Sequence, residues 1–550
     1  MKINKFLLPA SSLLVFGANA QQKVDSSKPN IVFLLADDMG YFEPVCYGGK
    51  VIETPNIDNL AKGGMTFSNA YCGSNISAPS RCALMTGKHS GHGWIRDNRD
   101  IGYEDGNVPL RAAEVTVAEV LKGAGYTTGA FGKWGLGAPY SEGSPMKHGF
   151  DNFYGYYGQI HAHDYFTYYL RDNEDSVVIA GNLSSPPLEY SATVIHNKAL
   201  QFIDTNKDKP FFLYYCTTLP HGPYNQPDGD ILNYYVTKTG QAKGTASSED
   251  FSVPKYAAMT ARLDVQIGEL IAKLKALNIL DNTIIFFASD NGTALKPAND
   301  SYLKTGGSLH GRKGDCYEGG IKSPLIAYWN GKIAAGSKSN YITALWDFLP
   351  TCADIAKVEN PQGIDGISIL PTLLGTPQNQ VQHDYLYFER VSYQGIRKGD
   401  MKAVILNTQD GKKAVEIYNL ANDPNETVNL VVSLPALKAE FIQISINART
   451  KSALFPLIKN GYDVDYTGVN TTSDDSFLDY FYPNPTKSVV YLNSTENIKS
   501  IEMSDLSGKL LMKTQNPTGN SIDLSQLQNG MYFLKLSVDN RFIVKKIIKE

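Results

Sequence analysis

The sequence is 550 residues long, with 42% hydrophobic and 19% charged residues, enough apolar surface for a sizeable core and too much for a disordered chain. Its 51 Lys+Arg stand against 55 Asp+Glu, a formal net charge of -4, which argues against a nucleic-acid binder, whose phosphate contacts show as a basic excess or a basic face. The length is that of roughly two to four domains, and the 33 Tyr suit sugar stacking, although composition alone favours ordinary core and surface tyrosines.

Met1 to Ala20 begins with Lys2 and Lys5, runs through the apolar stretch Phe6 to Phe16 and ends in Ala18-Asn19-Ala20. A basic start, a short apolar run and an A-x-A site predict a secretory signal peptide over residues 1–20 and a mature chain from near Gln21. No cysteine immediately follows, so no lipid anchor is expected there, and no other segment approaches about 18 uninterrupted apolar residues, so no transmembrane segment is expected. The six cysteines (Cys46, Cys72, Cys82, Cys216, Cys316, Cys352) form no C-x-x-C pair, so no zinc knuckle or redox motif is indicated. Disulfides are permitted outside the cytoplasm, but their pairing cannot be read from spacing.

From Pro29 to about Asp400, strand-length apolar runs alternate with helical patterns. Ile31 to Ala36, Phe211 to Cys216 and Ile284 to Ala288 are continuous, as strands covered on both faces are. Thr116-Val117-Ala118-Glu119 is a capping box opening a helix that stops at Gly123. Pro254 to Leu280 places Leu263, Ile267, Leu270, Leu274 and Leu277 on one apolar face of a long helix. These elements predict an α/β body built on a largely parallel, helix-covered sheet over residues 28–390. Residues 391–455 read as a smaller α+β unit, with strands around Gly395 to Leu406 and Ala414 to Leu420 and a helix from about Leu434. A polar linker over 456–477 leads to a module at 478–550, whose short alternating runs and turns at Ser507-Gly508 and Asn529-Gly530 predict a small β-sandwich.

The chemistry concentrates in Ser77-Ala78-Pro79-Ser80-Arg81, followed by Leu84-Met85-Thr86-Gly87. Pro79 suits a first helical position and Gly87 a helix end, which puts Ser77 at or just before a helix N-terminus, where free N–H groups favour an anion and Arg81 can reach back to it. Alone, this pattern is far more often a plain N-cap serine followed by a surface arginine. Asp37-Asp38 follows one buried strand and Asp290-Asn291 another, at the carboxyl ends where open α/β sheets place their sites. Three carboxylates and an amide form an all-oxygen donor set, suited to calcium or magnesium rather than zinc.

Ser77-x-Pro79-Ser80-Arg81 with Leu84-x-Thr86-Gly87 resembles the signature of type I sulfatases, of the alkaline phosphatase superfamily. Asp37-Asp38, Gly132-Lys133-Trp134, Pro220-His221-x-Pro223, Ser289-Asp290-Asn291-Gly292 and Glu318-Gly319-Gly320 occur in that family's order, and Glu416 to Leu420 with Asp423-Pro424 resembles the end of its C-terminal subdomain. The resemblance spans residues 28 to 455. It implies an alkaline-phosphatase-like α/β fold and a sulfuric ester hydrolase in which Ser77 is oxidised to formylglycine by a radical-SAM maturase. The hydrated aldehyde attacks sulfur, and the sulfated hemiacetal then collapses to release sulfate. Asp37, Asp38, Asp290 and Asn291 would bind one Ca2+, Arg81 and Lys133 would steady the modified residue, Lys313 would contact sulfate, and His221 would lie near the nucleophile and the leaving group. One sulfate ester also needs cations around its oxygens and a proton donor for its leaving alkoxide.

One position departs from the pattern. The common form is G-K-W-H-L-G, and here Gly135 stands where that histidine, assigned to hemiacetal collapse, belongs. Either the role moves elsewhere or this branch differs; His161 and His163 are the nearest candidates in sequence. Arg96 and His163 are the candidate substrate-binding residues on loops over the sheet. Tyr482-Pro483-Asn484-Pro485, Ser504 to Lys509, Leu527-x-Asn529-Gly530-Met531-Tyr532 and Lys545-Lys546 resemble the C-terminal sorting domain of the type IX secretion system. That implies export across both membranes of a diderm bacterium, to the surface or the medium. The resulting expectation is a sulfatase acting on a sulfated polysaccharide or its oligosaccharides, with galactose or N-acetylgalactosamine sulfate as candidate substrates. A phosphomonoesterase or phosphodiesterase using unmodified Ser77, and a non-catalytic sugar-binding surface protein, are the alternatives.

Overall fold

The computed structural model describes residues 28–102, 104–227, 229–244, 251–407, 413–457, 481–482, 486–492, 498–505, 509–517, 519, 521–538 and 541–550. The expected signal peptide, most of the expected linker and the Ser507-Gly508 turn lie outside these residues. The chain forms two units, Met1–His89 with Gly93–Asp384, and Ser90–His92 with Tyr385–Glu550.

The first unit is organised by a ten-stranded sheet. Its order is Ser337–Ser339, Met65–Phe67, Leu325–Tyr328, Thr283–Ser289, Asn30–Ala36, Phe211–Cys216, Thr127–Lys133, Asn152–Tyr156, Tyr169–Asp172, Asp175–Val178. The centre is parallel: Asn30–Ala36 pairs with Phe211–Cys216 on one side and Thr283–Ser289 on the other, and Thr127–Lys133 pairs with Phe211–Cys216 and Asn152–Tyr156. Every residue of the strands Asn30–Ala36, Phe211–Cys216 and Thr283–Ser289 is buried, which is why their sequences are apolar without alternation. The sheet is parallel through its centre, as expected, and becomes mixed where Leu325–Tyr328, Tyr169–Asp172 and Asp175–Val178 pair antiparallel away from that centre.

Helices cover the sheet. Thr116 Oγ1 accepts from Glu119 N at 3.2 Å and the Glu119 carboxylate accepts from Thr116 N at 2.8 Å, closing the capping box that starts Val117–Gly123. The long helix runs Val253–Ala276 and buries Leu263, Ile267, Leu270 and Leu274. It stops short of the expected Leu280 because Asn278 adopts φ 56, a left-handed conformation that ends the helical path.

In the second unit, Leu386–Arg390, Tyr393–Lys398, Met401–Asn407 and Lys413–Asn419 form an antiparallel sheet in that order. Tyr387, Ile396, Ala403, Ile405 and Ile417 pack with Phe441 of the helix Pro435–Asn447. The segment Gly395 to Leu406 thus belongs to two strands turned at Gly399 (φ 57), and the sheet's first strand precedes residue 391. Farther along, Phe481–Tyr482, Val489–Leu492 and Ser521–Asp523 form a three-stranded sheet, and Leu510–Gln515, Ile498–Ser504, Gly530–Val538 and Arg541–Lys549 a four-stranded one. Val490, Ile501, Met503, Ile522, Leu534, Leu536 and Ile547 make their core. No disulfide joins any of the six cysteines, and no helix among the described residues is long and apolar enough to cross a membrane.

Candidate active site

The parallel register brings the strand ends together. Ala36 is aligned with Ser289, so Asp37-Asp38 and Asp290-Asn291 emerge side by side, and Asp290 N donates to the Ala36 carbonyl at 3.1 Å. Gly132 is aligned with Cys216, which places Lys133 at the same edge, and Asp37 N donates to the Leu219 carbonyl at 3.0 Å, which ties in the loop that carries His221. Asp38 takes φ 68, a strained conformation for a non-glycine residue that turns its carboxylate back toward the cluster. Its own N–H donates to Asp290 Oδ1 at 3.1 Å.

The helix Ser77–Thr86 enters this edge with all ten of its residues buried. Ser77 is its first residue, Pro79 the third rather than the first, and Gly87 closes it at φ 68. Ser77 Oγ lies 3.3 Å from Asp37 Oδ1 and 3.4 Å from Asn291 Oδ1. The next N–H of the helix, Ala78 N, is already taken by Asn98 Oδ1 at 2.8 Å, so the helix start is partly satisfied from within the chain. Arg81 does not reach back to Ser77: its guanidinium donates to the Lys133 carbonyl (2.7 Å) and to Asp290 Oδ2 (2.9 Å) and lies 3.4 Å from Asp37. A fork of fixed N–H groups fills best where planar acceptors converge, and here these are the strand-end carboxylates.

Lys133 Nζ meets Asp37 Oδ2 at 2.8 Å, and Lys313 Nζ meets Asp38 Oδ1 at 2.7 Å. Lys313 arrives on a loop pinned by Lys313 N to the Thr293 carbonyl, by Gly314 N to the Asn75 carbonyl and by Asn75 Nδ2 to the Gly314 carbonyl. His221 Nε2 lies 3.1 Å from Lys313 Nζ and 3.2 Å from Asp38 Oδ2. Asp37, Asp38, Ser77, Arg81, Lys133, Asp290 and Asn291 are all buried, whereas the side chains of His221 and Lys313 retain 14% and 19% exposure and mark the open side. Burial alone would raise the Asp37 carboxyl, but Lys133, His221, Arg81 and Lys313 together hold it well below its ordinary value. Asp290 is pushed up to about 6 by burial and then by the Asp37 charge. His221 is pushed down to about 4 by burial, against the pull of Asp38 and with Lys313 adding to the shift, so its ring is neutral at pH 7.

The donor set fits a hard divalent ion. Asp37, Asp38, Asp290 and Asn291 offer only oxygens, and Asn291 turns Oδ1 toward Ser77 while its Nδ2 holds Asp38 Oδ1 at 2.7 Å; the ligand atoms that lie within 4.8 Å of one another are those of Asp37, Asp38 and His221, so a nitrogen donor also stands at this edge.

The remaining candidates lie around this centre. His163 stacks on His221, ring centroids 4.8 Å apart at 12°. His161 instead faces away: it stacks on Tyr169 and bonds Thr167 Oγ1 at 2.8 Å, a buried scaffold role. Arg96 is buried, with Nε on the Gly93 carbonyl at 2.9 Å, so it shapes its own loop at least in part. Asn98, at the end of the loop Lys88 to Asn98 that suits sugar and sulfate recognition, and Gln159, just before His161, carry no individual role that the sequence shows. The first is an N-cap partner 20 residues from Ala78, and the second is visible only once Gly135 has been placed beside it.

Three family models match the chain: Sulfatase over residues 29–358, N-sulphoglucosamine sulphohydrolase C-terminal over 312–448, and Secretion system C-terminal sorting domain over 480–550. The N-acetylgalactosamine-6-sulfatase of Rattus norvegicus is 31% identical over 428 residues, covering 73% of this chain and 75% of that protein. The N-acetylgalactosamine-6-O-sulfatase of Bacteroides thetaiotaomicron is 26% identical over 532 residues, covering 81% and 98%. The crystal structure of Ps i-CgsB in complex with k-i-k-neocarrahexaose superposes with a TM-score of 0.64 at 28% identity, covering 76% of this chain and 92% of that one.

Proposed function

From the premise that this chain belongs to the sulfatase family and is a sulfuric ester hydrolase, we propose that it removes sulfate from galactose or N-acetylgalactosamine units of a sulfated glycan, with Ser77 converted to formylglycine as the nucleophile. The observation that carries the site is Ser77 Oγ, fully buried at a helix start between Asp37 and Asn291, with Lys133, Arg81, Lys313 and His221 gathered around it. The names of both relatives, an N-acetylgalactosamine-6-sulfatase and an N-acetylgalactosamine-6-O-sulfatase, and the k-i-k-neocarrahexaose bound by the solved neighbour support the sugar class.

Asp37, Asp38, Asp290 and Asn291 would hold one Ca2+, and Arg81, by neutralising Asp290, keeps these carboxylates assembled. When present, the ion supplies positive charge toward the sulfate oxygens, and formylglycine supplies a hydrated aldehyde hydroxyl in place of the weaker serine alcohol. Lys133, anchored on Asp37, orients the residue at 77. Lys313 keeps its proton, since Asp38 and Asp37 outweigh the burial that opposes it. Its Nζ, on the open side beside neutral His221 Nε2, is placed to meet a sulfate oxygen and to stabilise the departing alkoxide. His163, stacked on His221, and Arg96 complete the reading as substrate-side groups. The sorting domain marks the chain for export, to the surface or the medium; we assign its route to both membranes of a diderm cell and its activation to a radical-SAM maturase.

The test is the mass of the Ser77 peptide after coexpression with an anaerobic maturase, together with sulfate and phosphate release from parallel panels of esters. Loss of two hydrogens with sulfate turnover supports the reading. Unmodified serine under proven maturase activity, without sulfate release, overturns it.

A further inference from the structure

We infer that Gln159 is a further substrate-contacting residue of this centre, its side-chain amide occupying the place that a side chain at position 135 would take and offering an N–H to an oxygen of the bound sulfate ester. The inference rests on the sulfatase reading of the Ser77 site. Gly135 has φ 75, and a Cβ built on it would lie 2.1 Å from Gln159 Nε2 and 3.9 Å from Arg81 Cδ. The two positions therefore compete for one volume, beside the stem of the arginine that binds Asp290. Gln159 is 7% exposed, and its Nε2 is buried without a hydrogen-bond partner among the described residues. A buried amide with an idle donor is unfavourable unless an acceptor arrives. The side chain beside this volume, Arg81, is itself a donor whose buried Nε has no hydrogen-bond partner among the described residues, which points to an incoming oxyanion as the missing acceptor.

The main chain keeps the amide in place. Gln159 N donates to Asn107 Oδ1 at 2.8 Å, and Gly135 N donates to the Tyr157 carbonyl at 2.9 Å, so the two segments are held in register. An amide cannot take up a proton as an imidazole can, and its contribution is donation to charge already present or developing on oxygen.

The experiment uses the full chain with unmodified Ser77, loaded with calcium and titrated with inorganic sulfate by calorimetry, alongside thermal unfolding. Gln159→Ala is expected to weaken sulfate binding about tenfold with no loss of thermal midpoint, since a buried unsatisfied group is removed. Gln159→Glu keeps the volume, adds negative charge and weakens it further. Lys313→Ala serves as the reference for the site itself. Sulfate affinity unchanged in both Gln159 variants while Lys313→Ala is weakened would overturn the role of Gln159 alone; affinity unchanged in all three would overturn the sulfatase reading of the site as well. In the matured enzyme, Gly135→His alone should lose turnover through collision with Gln159, and adding Gln159→Ala should recover at least tenfold in kcat/KM. Losses that simply multiply in the double variant count against a shared volume.

Discussion

Buried charge occurs in both units, and the two arrangements differ in kind. In the four-stranded sheet of the second unit, Lys402 Nζ meets Glu426 Oε1 at 2.8 Å with both side chains fully buried, and Arg449 meets Glu389 at 2.7 Å. There each cation meets a carboxylate directly, and Glu389 also accepts from the Tyr387 hydroxyl at 2.7 Å. At the mouth of the ten-stranded sheet, Asp37 faces both Lys133 and Arg81, Arg81 is shared with Asp290, and Asp38 is shared between Lys313 and His221. A closed pair satisfies itself and holds a fold in register. In the crowd, burial first and then the Asp37 charge push Asp290 up to about 6, a perturbation of the kind that gathers at functional sites.

That contrast can be broken in several ways. The largest effect belongs to the nucleophile: Ser77→Ala in the maturase-coexpressed protein should abolish sulfate release, by about 10^4-fold or more, while the thermal midpoint stays near that of the parent. A matching collapse of stability would mean that the Ser77 cluster serves the fold after all. In the second unit the pattern should reverse. Lys402→Ala takes a cation away from buried Glu426 and should cost about 3–5 kcal/mol in denaturant unfolding, whereas replacing both partners with apolar residues of similar volume should come out near neutral. Lys313→Ala should lower kcat/KM by roughly 10^2 to 10^3 with little change in stability, because its Nζ lies on the open side.

The smallest effect concerns a buried carboxylate that belongs to neither arrangement. Glu43 accepts from Gly40 N (3.0 Å), Tyr256 (2.8 Å) and Thr260 (2.7 Å), with no cation among these partners, and burial raises it from 4.5 to about 7. Its folded pKa exceeds its unfolded one, so the folded state binds the proton more tightly. The stability it contributes is complete below about pH 4.5 and is lost as pH rises toward about 7, on the order of 3 kcal/mol in all. Glu43→Gln should flatten that part of the stability profile, and an unchanged slope would show that Glu43 is ionised in the fold.

Much of the site was legible because its signals are local. Asp37-Asp38 and Asp290-Asn291 each follow an apolar run too continuous to be anything but a doubly covered strand, and strand ends on one edge of a parallel sheet converge by construction. The capping box at Thr116 was readable for the same reason, since both of its bonds span three residues. The long helix was overextended because helical spacing continues to Leu277 while the backbone at Asn278 turns left-handed. The spacing shows only that Arg81 can reach an anion at the helix start; that its guanidinium holds Asp290 and the Lys133 carbonyl is not visible locally, because those partners are 52 and 209 residues away.

The sequence by itself determined which residues could do this chemistry: the serine signature, the acidic strand ends, the lysines and the histidine, and an alternating β module at the C-terminus. Only the tertiary structure decided how they share one another. It set two cations on Asp37, stacked His163 on His221 while committing His161 to Tyr169 and Thr167, and seated Gln159 in the space left by Gly135. Composition and period report on a residue's neighbours along the chain. Coulomb attraction and excluded volume act through space, and their outcome is fixed only when the sheet has closed.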